Sequence, residues 1–524
     1  MDTVGTITWI VLFVITTVTV TGVVGRIGWS APVALVLVGG IVSFIPAVPQ
    51  VEVQPELILY GILPPLLFAA ALRTSVVDVR ARNDSILLLS VGLVAFTVVT
   101  VGFTAWLLVP AITLAAAFAF AAVVAPTDAI AVTAIAGRLG LPRRVVTILE
   151  GESLLNDATA LVALNASIAA IVSVVTPVTI AVDFVVAVVV GVAVGLAVGV
   201  LVSFVRRILR SAVLDTSVSL ITPFAAFLIA EPLHGSGVLA VVVTGLYLGF
   251  RAPVVSSAEA RVAERLNWRT IQFLLENAVF LFIGLNLNGI LAGAIRTGPG
   301  VWETVFICAG LLLALVASRF AWVLGTTALY RHGPRRLRER SWGWGNGVAV
   351  ASASVRGVVT LAAVFLLPPE TPGREYLQFL AFVVVVASLL GGLALPWIIR
   401  RLHLPRPNLM QELTERRMLM AEARQAGIQR LDEVATRDDE PRVVDLLRSD
   451  AGFLGETLDT FGPDASVSQF ESKLRLRRSM LDAERGAVLQ ARREGRYQEP
   501  AVAAALQAID AEETALRAQE PRQG

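Results

Sequence analysis

The chain has 524 residues, 56% of them hydrophobic, and a mean hydropathy of +0.74, which excludes a water-soluble globule and places it in the membrane class. A formal net charge of +2 gives no sign of a nucleic-acid partner. A single cysteine, Cys308, excludes internal disulfides and multi-cysteine zinc sites.

Segments of about twenty mostly apolar residues, the length that crosses a bilayer as a helix, fall near 7–25, 30–46, 55–72, 84–108, 112–136, 144–173, 178–205, 213–230, 236–250, 266–291, 299–328, 344–367 and 376–399. The pattern predicts an all-α polytopic membrane protein of about thirteen spans. The first segment follows Asp2 rather than a basic stretch and precedes no convincing cleavage site, so it reads as a retained helix. Basic residues recur in every second loop: Arg26, then Arg73, Arg80 and Arg82, then Arg138, Arg143 and Arg144, then Arg206, Arg207 and Arg210. Arg251, Arg261 and Arg265 follow the ninth span, Arg331 to Arg340 the eleventh, and Arg400 and Arg401 the thirteenth. That alternation predicts an outside N-terminus and a cytoplasmic C-terminus. From residue 401 the composition becomes charged, with helical apolar stripes, so the expected domains are a membrane part over 1–400 and a soluble helical tail over 401–524. Asn408 with Gln411 reads as a capping box opening the tail, and further helices are expected near 441–458, 467–495 and 500–518.

Charged residues inside the spans carry the functional signal, because an acid at the bilayer centre costs about 2.5–3.5 kcal/mol on insertion scales. The fifth span, AAFAFAAVVAPTDAIAVTAI, holds Pro126, Thr127 and Asp128 in its middle. Proline removes a backbone donor and frees carbonyls near 122 and 123, so an opened helix beside a carboxylate becomes an oxygen cage for a small hard cation. The sixth span contains ILEGESLLNDATALV, where Ser153 and Asp157 share one face and Glu152 and Asn156 the adjacent one. Asp157 is the expected ion and proton site, while Glu150, nearer the span end, reads as an interfacial charge. The twelfth span, WGNGVAVASASVRGVVTLAAVF, is rich in small residues and contains Arg356. It is the counterpart of the fifth by order, as the middle of a three-helix unit, which predicts inverted repeats with interrupted helices at the membrane midplane. Arg356 cannot shed its proton and needs an anion; Glu152 is the expected partner in a structural ion pair. Glu276 in the tenth span reads equally as an interhelical contact or as part of an ion path, and Arg319 as a residue snorkelling to the cytoplasmic end. His234, His332 and His403 fall at span ends or in loops.

With APTDAIAV (125–132), EGESLLNDATALV (150–162), FLFIGLNL (280–287) and SVRGVVTLA (354–362), the chain resembles the monovalent cation:proton antiporter family, in its bacterial sodium/proton exchanger branch of the electroneutral Asn-Asp type. The resemblance spans roughly residues 7 to 400. It implies a thirteen-helix homodimer in the plasma (inner) membrane, with crossing broken helices, elevator-like alternating access and no cofactor. It assigns the ion and proton site to Asp157, Asn156, Ser153, Asp128 and Thr127, with a monovalent cation at Asp157, Asp128, Ser153 and Thr127, and a buried pair to Glu152 and Arg356. Where some members carry an acid after LPPLLF, this chain has Ala69 and Ala70.

An empty, charged carboxylate is costly to carry through an apolar barrier, whereas its protonated or cation-bound form is close to neutral. Exchange of a cation for protons follows from that asymmetry; the resemblance implies sodium or lithium as the cation, and pairing Arg356 to Glu152, which leaves Asn156 neutral beside Asp157, predicts one proton per cation, with a potassium/proton antiporter as the alternative. An intramembrane aspartyl protease would pair Asp128 with Asp157 but lacks the expected Gly-x-Gly-Asp, and a cation channel would need a filter loop that no inter-span segment supplies.

Overall fold

The computed structural model describes residues 3–27, 30–46, 57–110, 112–128, 141–172, 176–209, 211–338, 343–404, 409–435, 441–442, 444–445, 467–493 and 499–519, and the regular structure among them is helical. The chain divides into two compact units, Met1–Pro405 and Arg406–Gly524.

The first unit begins with α1 (Thr3–Ile27), α2 (Ala31–Ser43) and α3 (Leu63–Arg73), the last entered through a wide π turn at Leu57–Ile62. A helical run from Asn83 widens into a second π turn at Leu88–Gly92 and continues as α4 (Leu93–Leu108). The widened turn spoils the regular backbone ladder, and Trp322 uses the opening: its Nε1 donates to Leu88 O at 3.0 Å. Next come α5 (Leu114–Val124), α6 (Arg143–Val172), α7 (Pro177–Ile208), α8 (Ala212–Ala230), α9 (Gly237–Val255), α10 (Ala258–Leu285) and α11 (Leu287–Thr297). The unit closes with α12 (Val301–His332), α13 (Trp344–Ser352), α14 (Val358–Val364), α15 (Arg374–Gly392) and α16 (Leu395–Leu402). Among the described residues, eight helices are long and apolar enough to cross a membrane, including the 26-residue run Asn83–Leu108. Their outward faces carry exposed Val, Leu, Ile and Phe, as lipid contact requires.

The bounds of two expected spans move. The tenth span, expected at 266–291, starts at Ala258, where Ser257 caps the helix by accepting from Ala260 N at 3.2 Å, so Arg261 and Arg265 are helical rather than loop residues. It ends at Leu285 because Asn286 turns its Nδ2 back onto Phe282 O at 2.9 Å, and α11 begins at the next residue. The fifth span, expected at 112–136, is helical only to Val124; residues 129–136 lie outside the described residues.

Small residues set how closely these helices approach. Gly39 on α2 faces Gly284 on α10, and a Cβ on Gly39 would stand 2.5 Å from Leu281 O, so these two backbones are in direct contact.

In the second unit, α17 (Leu409–Val434) is followed by the paired helices α18 (Val467–Arg493) and α19 (Glu499–Gln519). Arg477 meets Glu512 at 2.7 Å and Arg485 meets Glu513 at 2.6 Å across that pair, while Leu481 and Ile509 supply its buried apolar contact. Asn408 of the expected capping box, and most of the helix expected at 441–458, lie outside the described residues.

Candidate ion-binding site

The site forms where two interrupted helices meet. Thr113 caps the start of α5, accepting from Ala116 N at 3.2 Å, and the helix runs to Val124 before Pro126 stops it. The second interruption separates α13 from α14, over residues 353–357. The two openings touch: Asp128 N–H donates to Val355 O at 2.8 Å. A Cβ on Gly357 would lie 2.0 Å from Asp128 Oδ2 and 2.5 Å from its Cβ, so glycine is required where the carboxylate crosses the second break.

Each break exposes carbonyls that a continuous helix would have satisfied, and in the membrane they need other donors. Arginines supply them. Arg319, from the middle of α12, donates Nη2 to Val350 O at 3.0 Å and to Ala353 O at 3.2 Å, and Nε to Ala351 O at 3.2 Å. Arg356 donates Nε to Val124 O, at the end of α5, at 3.2 Å, and Nη1 to Ser354 O at 2.7 Å. Its backbone N–H is taken up by Ser388 Oγ on α15 at 3.0 Å.

The expected Glu152–Arg356 ion pair is therefore corrected. Glu152, 1% exposed, is held by Arg319, with Nη1 2.6 Å from Oε1 and Nη2 3.3 Å from Oε2. Arg319 is 2% exposed and does not snorkel. The physical reason is geometric: a long side chain entering from α12 reaches both Glu152 and the carbonyls of α13, whereas Arg356 starts inside the break and spends its donors on the carbonyls beside it. An arginine within an apolar span is a visible sequence signal that an anion is near; which of two arginines takes Glu152 depends on how the helices cross.

The remaining expected residues fall on α6 and the first break. Thr127 Oγ1 donates to Glu152 Oε1 at 3.0 Å, and Asn156 Nδ2 donates to Thr127 Oγ1 at 3.1 Å and to Thr127 O at 3.2 Å. Glu152 and Asn156, four residues apart, thus clamp the opened strand from one helix face. Asn156 Oδ1 is buried and has no hydrogen-bond partner. On the neighbouring face Ser153 and Asp157 are half-buried, as is Asp128, which lies within electrostatic range of Asp157 and of Glu276. Glu150 is exposed. Chemically, the arrangement offers two carboxylates and neutral oxygen groups beside an already neutralised arginine–glutamate pair, a donor set suited to a hard cation or a proton.

Two buried polar groups escaped the sequence reading. Arg206, expected in a loop, sits in the last turn of α7 at 2% exposure, bonded through Nε to Asp215 and through Nη1 to Glu264 Oε1 at 3.0 Å. Gln272 on α10 bonds both Arg73 and Glu276. A mid-helix glutamine flanked by apolar residues was the available signal for the second; nothing local distinguished Arg206 from Arg207.

Comparison with known proteins gives this geometry a family. Residues 11–401 match the family described as sodium/hydrogen exchanger, transmembrane. An uncharacterized Na+/H+ exchanger of Mycobacterium tuberculosis is 31% identical over 415 residues, covering 77% of this chain and 76% of that protein. A sodium, potassium, lithium and rubidium/H+ antiporter of Bacillus subtilis is 29% identical over 407 residues, 72% of this chain and 59% of that one. The solved sodium proton antiporter of Methanocaldococcus jannaschii superposes with a TM-score of 0.63 at 17% identity, covering 77% of this chain and 99% of that one, a likeness of fold. The chain therefore belongs to the sodium/hydrogen exchanger family, and is a multi-pass membrane cation/proton transporter rather than an enzyme.

Proposed function

We propose that the protein exchanges sodium or lithium for protons across the plasma membrane, one for one, by alternating access, and so serves sodium and pH homeostasis. The supporting observation is the charge balance around the crossed breaks. Arg319 and Arg356 stand against Glu152, Asp128 and Asp157, which leaves a single negative charge in excess when both aspartates are ionised. One bound cation or one bound proton cancels it, and only a neutralised core crosses an apolar barrier cheaply. Asp157 and Asp128 are the carboxylate ligands in this reading. Ser153, Thr127 and the unbonded Asn156 Oδ1 complete the oxygen set, and Glu152 with Arg319 is the structural pair.

About thirteen spans in inverted repeats, an outside N-terminus, a cytoplasmic C-terminal unit and a homodimer complete the proposal. A potassium/proton antiporter is the second reading, favoured by the broad cation range named for the Bacillus subtilis relative.

The test is reconstitution into liposomes with an internal pH dye and external sodium, lithium or potassium chloride. Sodium and lithium are expected to drive proton movement, and Asp157→Ala to reduce it to the rate of empty liposomes. Proton movement with no cation, or a variant as fast as wild type, would sink the mechanism. A membrane potential that displaces the final ion gradients would refute the one-to-one count.

A further inference from the structure

Gln272 has no part in the crossed breaks, yet it is 5% exposed and its amide lies between opposite charges. Oε1 accepts from Arg73 Nη2 at the end of α3, and Nε2 donates to Glu276 Oε1 four residues further along α10. Only one orientation of the amide serves both neighbours, because a guanidinium solely donates and a carboxylate solely accepts. Arg73 and Glu276 feel each other's charge, but their hydrogen bonds run through the amide. Glu264, twelve residues earlier on the same helix, shows the contrasting arrangement, with Arg206 on both its oxygens at 3.0 Å. A carboxylate bound in that two-pronged way is neutralised. Glu276 receives a single donor, from a neutral group, and lies within electrostatic range of Asp128.

We propose that Gln272 is a positioning residue: a neutral spacer that keeps Arg73 from pairing with Glu276, so that Glu276 draws the transported cation toward Asp128 and Asp157. The proposal rests on the exchange site described under Proposed function. Both charges contact the same amide, so the gap that its removal opens is one amide wide and a flexible arginine closes it. Glu276 would then be neutralised and the attraction lost, while the ligands at the breaks stay as they are.

The experiment measures initial exchange rates in proteoliposomes against sodium concentration, for wild type, Gln272→Met, Gln272→Ala, Glu276→Gln and the double variant Gln272→Met/Arg73→Ala. Methionine keeps the side-chain volume, so that variant packs even where alanine does not. Gln272→Met is expected to raise KM for sodium roughly tenfold with kcat within about twofold of wild type, the signature of lost cation binding rather than of a damaged carrier. Glu276→Gln is expected to match it, and the double variant to return KM toward the wild-type value, because no arginine remains to collapse onto Glu276. A wild-type KM in Gln272→Met, or a double variant no better than the single one, overturns the spacer while leaving the site intact, provided exchange still depends on Asp157. Wild-type exchange that survives Asp157→Ala overturns the site, and this inference with it.

Discussion

Arg319 and Arg206 are both 2% exposed and both bound to a buried glutamate, yet they stand in unlike surroundings. Around Arg206 every partner is a side chain on an intact helix. Glu264 takes both Nη groups and accepts from Ser219 Oγ at 2.5 Å, Ser219 accepts from Trp268 Nε1 at 2.9 Å, and Asp215 takes Nε. Three helices, α7, α8 and α10, are pinned together through these side chains. Around Arg319 the carboxylate is only one partner; the others are Thr127 Oγ1 and carbonyls of an interrupted helix, with half-buried Asp128 and Asp157 close by. A buried ion pair in a membrane protein is thus by itself a fastening. In the exchange reading proposed above it becomes part of an ion site when the backbone beside it is opened and acids remain nearby.

Substitutions at Arg319, alone and with Glu152, at Gly357 and at Arg206 test that contrast. Arg319→Ala leaves Glu152 buried without a cation and uncaps three carbonyls; it is expected to lose exchange and about 3–5 kcal/mol of stability. Thermal unfolding in detergent and proteoliposome flux read the two losses separately. The double variant Arg319→Ala/Glu152→Ala is expected to regain stability without regaining exchange, and recovery of both would show the pair to be a fastening too.

Gly357→Ala forces a methyl group into Asp128 where the breaks cross. Overpacking of this kind costs about 1–3 kcal/mol, enough to displace the aspartate and slow exchange roughly tenfold. Exchange at the wild-type rate would show that the crossing does not constrain Asp128.

The smallest effect on transport is expected from Arg206→Met, which leaves Asp215 and Glu264 uncompensated. The unfolding temperature should fall, yet the protein that remains folded should exchange with a KM for sodium within about twofold of wild type. A larger KM change would mean that the α7–α8–α10 fastening reaches the ion site and that the contrast is too sharp.

Much of this was legible from residue spacing. Pro126 marked the first break, the small-residue run around Arg356 marked the second, and the four-residue intervals on α6 placed Glu152 with Asn156 and Ser153 with Asp157. All of these are local: a proline acts on its own turn, and helical periodicity fixes which neighbours share a face. The reading failed where a long side chain chooses among distant partners. Arg319 and Glu152 are 167 residues apart, Arg73 and Gln272 199, and Arg206 and Glu264 58. Nor did periodicity show that Asn286 would end α10 early, because an asparagine in an apolar run signals either a polar contact or a stop.

The sequence by itself determined that this chain enters the membrane, where its helices lose continuity, and which polar residues of α6 share a face, since hydropathy, proline chemistry and helical period act within a few turns. Tertiary structure alone decided which arginine neutralises Glu152, that Asp128 crosses over Gly357, and that Gln272 separates Arg73 from Glu276. Those outcomes depend on where helices far apart in the chain cross, and a buried charge settles on whichever partner that crossing brings within hydrogen-bond reach.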